Sequence, residues 1–279
     1  RSLKSADLSN NHINDDGTRA LCEALKTNNT LESLTITNGA YGSTKITAPG
    51  AELIADMLAV NRALKSANFS ANSIGDEGTA ALSDALKANS TLETLELRSN
   101  EVGAAGAQSL AGMLQVNRAL KSANLGLNDI GDEGAIVISA ALESNTTLTD
   151  LGLKAFSNGT KITVVGAQAI AKMLAVNRSL NTLDLSGNNI GGASWVKKGK
   201  LQGTTFKEGA AVQYNGQECM VLVEEDSYGY LTVQNISGVV VLAEALKFNR
   251  SLKALDLNSN NLGSEGARVL CDALKHNAT

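Results

Sequence analysis

The sequence predicts an α/β solenoid: a right-handed horseshoe of strand–turn–helix repeats, parallel inner sheet and outer helices, with a small all-β, barrel-like insertion. Three observations predict it. The pattern LxxLxLxxN recurs, its first leucine at Leu3, Leu31, Leu64, Leu92, Leu120, Leu148, Leu180 and Leu252. Each recurrence is followed by a glycine turn and then by apolar residues at helical spacing. Between the last two units the basic step of 28 residues becomes 72.

Each unit reads alike. Leu92, Leu95 and Leu97 form the apolar face of a short strand. An asparagine closes it, at Asn11, Asn72, Asn100, Asn128, Asn188 or Asn260. A bent backbone inside a stack needs such a side chain to bond its orphaned groups. Residues 79–86 then place apolar side chains at i, i+3, i+4 and i+7 of a helix. One unit cannot cover its own apolar face, so units must stack.

The consensus LxxLxLxxNxIGDEGxxxLxxAL resembles the ribonuclease-inhibitor-like subclass of leucine-rich repeats, which also occurs in the Ran GTPase-activating protein and in the sensor region of NOD-like receptors. The resemblance covers about 235 residues, everything outside the insertion. It implies the horseshoe fold and a role in binding proteins. The mammalian inhibitor is cysteine-rich and this chain has three cysteines. No catalytic residue of the GTPase-activating protein is carried over.

The units alternate. Those at Leu64 and Leu120 share Asn-Arg-Ala-Leu-Lys-Ser-Ala-Asn, and those at Leu92 and Leu148 begin Thr-Leu. A two-unit duplication is the simplest origin. Neither end reads as a polar cap, as expected of part of a longer array. Cys22 and Cys271 share a repeat position held elsewhere by Ser83, Ala111, Ser139 and Ala171, so both should be small, partly buried helix residues. Asp76-Glu77 and Asp132-Glu133 should cap the helices they begin, since calcium loops need more ligands. Lys26, Lys87, Lys247 and Lys275 close helices, where cations suit the dipole.

Three units exceed the period, each between strand and helix. The unit at Leu31 gains five residues around Tyr41, and that at Leu148 gains four around Phe156. Both extra loops run into Lys-Ile-Thr, at Lys45-Ile46-Thr47 and Lys161-Ile162-Thr163. The third gain is residues 194–237, dividing the chain into 1–193 (repeats 1 to the start of 7), 194–237 (the insertion) and 238–279 (the rest of 7, and 8). All three should project from one edge, the Phe156 loop beside the insertion.

The insertion holds five of the nine aromatics: Trp195, Phe206, Tyr214, Tyr228 and Tyr230. Alternating runs at 211–214, 219–223 and 230–233 read as strands, and Asn215-Gly216 as a hairpin turn. Three to five such strands resemble a small SH3-like barrel of the KOW or Tudor sort. Trp195 and Phe206 are assigned to its core; Tyr228 and Tyr230, flanking a turn, and Tyr214 are contact candidates.

A net charge of -4 argues against a dedicated nucleic-acid binder. No run of 18 apolar residues is available to span a membrane. The two histidines, His12 and His276, lie at opposite ends, and no nucleophile–base pairing or nucleotide loop appears, so no catalytic, cofactor or metal site is expected. Sequons at Asn28, Asn89, Asn145, Asn177 and Asn249 follow from a repeated turn. Arg62, Arg118, Arg178 and Arg250, with Lys65, Lys121 and Lys253 near them, form a basic row read as solvated surface.

Strand alternation puts Asp7, Thr35, Asn68, Glu96, Asn124, Gly152, Asp184 and Asp256 along the middle of the concave face, with Arg98, Asp150 and Lys154 beside them. The expected function is a non-enzymatic, intracellular, cytoplasmic scaffold for other proteins within a large assembly, its oligomeric state open. The candidate contacts are Tyr228, Tyr230, Tyr214, Tyr41, Phe156, Lys161, Glu96, Arg98, Asp150 and Lys154. The alternatives are a small-GTPase regulator and the ligand-sensing region of an NOD-like receptor.

Overall fold

The computed structural model describes residues 2–39, 44–156, 159–197, 200, 202, 211–214, 217–223 and 230–277; at 193–195, 211–214, 217, 218, 222, 223, 231 and 232 the description covers the backbone. Strands and helices alternate: β1 (Ser5–Asp7), α1 (Asp15–Thr27), β2 (Ser33–Thr35), α2 (Ala48–Val60), β3 (Ser66–Asn68), α3 (Gly75–Ala88), β4 (Thr94–Glu96) and α4 (Ala104–Val116). Then come β5 (Ser122–Asn124), α5 (Gly131–Leu142), β6 (Asp150–Gly152), α6 (Val164–Val176) and β7 (Thr182–Asp184). The insertion contributes β8 (Ala193–Lys197), β9 (Ala211–Tyr214), β10 (Gln217–Val223) and β11 (Tyr230–Gln234). The last repeats resume with α7 (Ser237–Phe248), β12 (Ala254–Asp256) and α8 (Gly263–Asn277).

Eight strands form one parallel sheet in the order β1 to β7, then β12. Leu34, Leu95, Leu151 and Leu183 point from it into a core shared with Ile54, Leu82, Leu110, Ile138 and Ile170 of the helices. The expected middle row is reproduced residue for residue, from Asp7 against Thr35 through Glu96 against Asn124 to Asp184 against Asp256. The insertion does not break this stack, because Asn249 Nδ2 still donates to Leu174 O at 2.7 Å across 75 residues.

Two asparagine ladders bind the repeats. In the first, Asn128 donates to Leu97 O and Leu125 O, both at 2.9 Å, and accepts from Asn100 N at 2.8 Å and Val102 N at 3.1 Å. Asn72, Asn100, Asn188 and Asn260 are likewise buried. Asn11 departs from expectation: it is exposed, and its side-chain amide donates to the carbonyl of Ser9 in its own turn rather than to a neighbouring repeat. Asn38 belongs to the ladder instead. It sits one position earlier than the pattern predicts, is buried, and donates to Asn72 Oδ1 at 2.8 Å.

The second ladder stands where helices end. Asn61, Asn89, Asn117, Asn145, Asn177 and Asn249 are all buried. Asn117 donates to Leu86 O at 2.7 Å and Asn89 O at 3.0 Å, and accepts from Ala119 N at 2.9 Å and Leu120 N at 2.8 Å. One amide thus satisfies the C-terminus of the preceding helix and starts the next strand. Most of the sequon asparagines are therefore internal fasteners; Asn28 is exposed.

The acidic pairs act differently from expectation. Asp76 Oδ1 accepts from Gly103 N at 2.7 Å and Gly106 N at 2.9 Å, at the start of α4 rather than of its own α3. Asp15 likewise accepts from the backbone and hydroxyl of Thr47 ahead of α2. Helices α3 and α5 have Ile74 and Ile130 at the N-cap and hence no side-chain cap, their chains turned by Gly75 and Gly131 at φ of +62° and +57°.

Cys22 is buried, but Cys271 is exposed, contrary to the shared expectation. Helix α8 packs against α7, and Cys271 lies away from that contact.

Strands β8, β11, β10 and β9 form a separate antiparallel sheet in that order. Tyr214 pairs with Gln217, so Asn215 and Gly216 are the two residues between β9 and β10; they lie outside the described residues. The insertion is bolted to repeat 8. Gln234 Nε2 donates to Asn261 O at 2.6 Å and Leu262 O at 2.9 Å; just ahead of the insertion, Gly191 N of repeat 7 donates to Asn260 O at 2.8 Å.

Candidate functional site

The enlarged loops return to the solenoid through the same device. Ile46 and Ile162 are buried, and their N–H groups donate to the ladder residues Asn72 and Asn188 of the next repeat. Thr47 and Thr163 donate to Asp15 and Asp132 of the preceding repeat. The Lys-Ile-Thr motif is therefore a clamp that fixes where each loop rejoins the edge.

Between these clamps lies a trough of about 370 Å³, lined by Lys45, Ala71, Asn72, Ser99, Glu101, Leu127, Asn128, Asp129 and Phe156. Lys45 comes from the second repeat and Phe156 from the sixth, so both short loops frame one cavity. Phe156 is 43% exposed. Leu127 is half-buried and holds φ at +56°, as Ala71 and Ser99 do at the same place in their repeats. A bulky apolar residue tolerates that left-handed conformation poorly. Glu101 accepts from Ser73 Oγ at 2.8 Å, and Asp129 accepts from Thr160 N at 3.0 Å, anchoring the Phe156 loop.

Of the predicted contact residues whose side chains are described, only Phe156 lines the trough. Lys161 stands at the clamp beside it, half-buried. Tyr41 and Tyr228 lie outside the described residues. Tyr214 closes β9, its side chain undescribed, and Tyr230 opens β11, half-buried and paired in register with Lys197. The described lining faces repeats 2 to 6 and includes nothing from the insertion.

Glu96, Arg98, Asp150 and Lys154 lie on the inner sheet face, on β4 and β6 or just beyond them, with β5 between. Arg98 and Lys154 are exposed. Burial pushes the Glu96 carboxyl above the usual range, against opposing contributions from a hydrogen bond with Asn124 and the charge of Arg98. The acidic look of this face is partly local bonding. Asp7, Asn68, Asn124, Asp184 and Asp256 each accept from the backbone N–H two residues on, as in Asp184 Oδ1 to Ser186 N at 2.8 Å.

The arginine row is also occupied locally. Arg118 donates to Asn117 O and Gln115 O, both at 2.9 Å, and Arg62, Arg178 and Arg250 repeat the arrangement. These guanidinium groups satisfy the last carbonyls of α2, α4, α6 and α7. Lys65 and Lys121 pair with Glu32 and Glu93 of the repeats before them. Sequence reasoning missed both roles, although a clue existed, since each arginine directly follows a second-ladder asparagine.

Among the described residues, no group of three or more His, Cys, Asp or Glu is placed to hold a metal ion, and no helix is long and apolar enough to cross a membrane. A family model described as Leucine Rich repeat matches residues 1–22, 88–111, 116–139, 176–194 and 248–271. The chain is an α/β leucine-rich-repeat solenoid. The leucine-rich repeat-containing protein LegL7 of Legionella pneumophila is 20% identical, with a TM-score of 0.50 over 98% of this chain and 72% of that one. The solenoid is also similar to a leiomodin-1 actin-binding site 2 structure (24% identity, TM-score 0.43, 49% of this chain, 77% of that one). A Caenorhabditis elegans tropomodulin C-terminal domain gives 15% identity and a TM-score of 0.39 over 62% of this chain and 82% of that one. No curated protein matches the chain.

Proposed function

We propose that this solenoid is a non-enzymatic protein-interaction scaffold that docks partners along its loop-bearing edge. The observation that carries the reading is that two enlarged loops, four repeats apart, frame one trough and leave Phe156 exposed in it. Loop extensions that served only as tolerated length would have no reason to share a cavity. The insertion, residues 194–237, serves as a second contact module of SH3-like type, and the inner face around Glu96, Arg98, Asp150 and Lys154 as a third. The 28-residue period, with an outer helix in every repeat, supports the ribonuclease-inhibitor-like subclass. The thiols Cys22 and Cys271, neither in a disulfide, support a location inside the cell.

The test is co-purification followed by mass spectrometry, with the intact chain, Phe156→Ala, and a chain whose residues 194–237 are replaced by a short Gly-Ser link. Circular dichroism checks folding of all three. At least one partner should be lost in each variant. Recovery of the full partner set by both overturns the reading, and stimulated GTP hydrolysis across a panel of small GTPases would favour the regulator alternative.

A further inference from the structure

We infer that the trough is a reader of extended peptide, taking a segment in which an aliphatic or aromatic side chain stands next to a lysine or arginine. The inference rests on the scaffold reading and names the chemistry of one partner.

Shape comes first. The trough runs from Lys45 in the second repeat to Phe156 in the sixth. Four steps at the ordinary strand spacing come to about 19 Å. An extended chain covers that distance in about six residues. A volume of about 370 Å³ spread over such a length is shallow and narrow. It suits a strand-like segment rather than a globular surface or a compact small molecule.

Chemistry then follows the order of the lining. At the sixth-repeat end, Phe156 is 43% exposed and Leu127 is half-buried in a left-handed turn, where the equivalent positions carry Ala71 and Ser99. An exposed ring and a strained leucine together make an apolar seat that packing of the solenoid does not require. Next along the trough come the exposed carboxylates of Glu101 and Asp129. Among the described residues each accepts one hydrogen bond, and a carboxylate has acceptor capacity for more. A cation in the ligand beside its apolar group would meet them. Lys45, at the far end, offers the opposite charge to an acidic side chain or a terminal carboxylate, which sets direction. Both loops are clamped at Ile46 and Ile162, so the site is pre-formed.

The experiment is selection from a displayed library of random hexapeptides on the intact chain, followed by fluorescence polarisation with synthetic peptides. The expected winners carry an apolar residue adjacent to Lys or Arg. Phe156→Ala should weaken them about tenfold or more, as expected for an aromatic anchor. Glu101→Lys should weaken them too, and should bind better a peptide in which Glu replaces the basic residue. Asp129 is left unchanged because it anchors the loop. A library with no winners, winners without the apolar–basic pair, or winners indifferent to both substitutions overturns the inference. None of these would touch the scaffold reading, which fails only if partner capture survives both Phe156→Ala and replacement of the insertion.

Discussion

Asp132 and Thr163, one repeat apart, are clasped at two points. Asp132 Oδ1 accepts from Thr163 N at 2.7 Å and Oδ2 accepts from Thr163 Oγ1 at 2.6 Å. The same Oδ1 accepts from Gly166 N at 2.8 Å, so one carboxylate satisfies two N–H groups at the head of α6. Asp132→Ala should cost about 2 kcal/mol in urea unfolding, the upper range for a lost helix cap. Glu133→Ala, exposed next door, should change stability by less than about 0.5 kcal/mol. Equal effects would show that the clasp is not the fastener described.

The clasp explains a glycine. A Cβ on Gly166 would lie 2.7 Å from Asp132 Oδ1 and 2.6 Å from Ile162 Cγ2. On Gly112, in α4, it would meet nothing within 4 Å. Gly112→Ala should therefore raise stability by about 0.5–1 kcal/mol, as alanine does in a helix. Gly166→Ala should lower it despite the same propensity gain. Thermal melts of the two variants moving in the same direction would refute this steric account.

The second asparagine ladder should be among the most sensitive features. Asn117→Ala leaves two carbonyls and two N–H groups short of a buried partner, with an expected loss of roughly 3 kcal/mol. Asn28 occupies the same repeat position but is exposed, accepting from Thr30 N and Leu31 N. Asn28→Ala should cost about 1 kcal/mol or less, because water can replace the amide. Chemical denaturation of both variants makes the comparison.

Glu32 should titrate far below other glutamates. Hydrogen bonds from Lys4 at 2.6 Å and Lys65 at 2.8 Å, with the charges behind them, hold its pKa down from 4.5 to about 2. A lowered folded-state value means that its stabilisation is present above the unfolded value of 4.5 and is lost as pH falls through about 2. NMR titration should show this, and Lys4→Met with Lys65→Met should return the midpoint toward 4.5. Being exposed, the pair should weaken in high salt.

Thiol reactivity should separate the cysteines. Burial pushes the Cys22 thiol up to about 11, so little thiolate exists at neutral pH and reagents cannot reach it. Cys271 is exposed. Maleimide labelling of the native chain followed by peptide mapping should modify Cys271 early and Cys22 only on unfolding. Early labelling of Cys22 would contradict the packing of α1 against α2.

Much of the fold was legible in the residues because its signals are local and repeated. The middle row from Asp7 to Asp256 needs only alternation and period, and both survive the 44-residue insertion at 194–237. Asn38 was absent from the expected ladder because the enlarged repeat moves its asparagine one place before the position the pattern marks. The acids at Asp76 and Asp132 were assigned to the nearest helix, since sequence distance was the only distance on offer. Their targets, Gly103 and Thr163, are 27 and 31 residues away. Likewise nothing between Lys45 and Phe156 announces that they line the same cavity.

The residues alone determined the period, the inward faces of strands and helices, and the edge from which every extension leaves. These follow from side-chain alternation and the need to bury apolar surface, which act over a few residues. Tertiary structure decided which polar group satisfies which backbone orphan, and that two remote loops frame one trough. Those pairings depend on stacking, which sets residues about 28 apart in sequence side by side and rewards whichever hydrogen bond the neighbouring repeat presents.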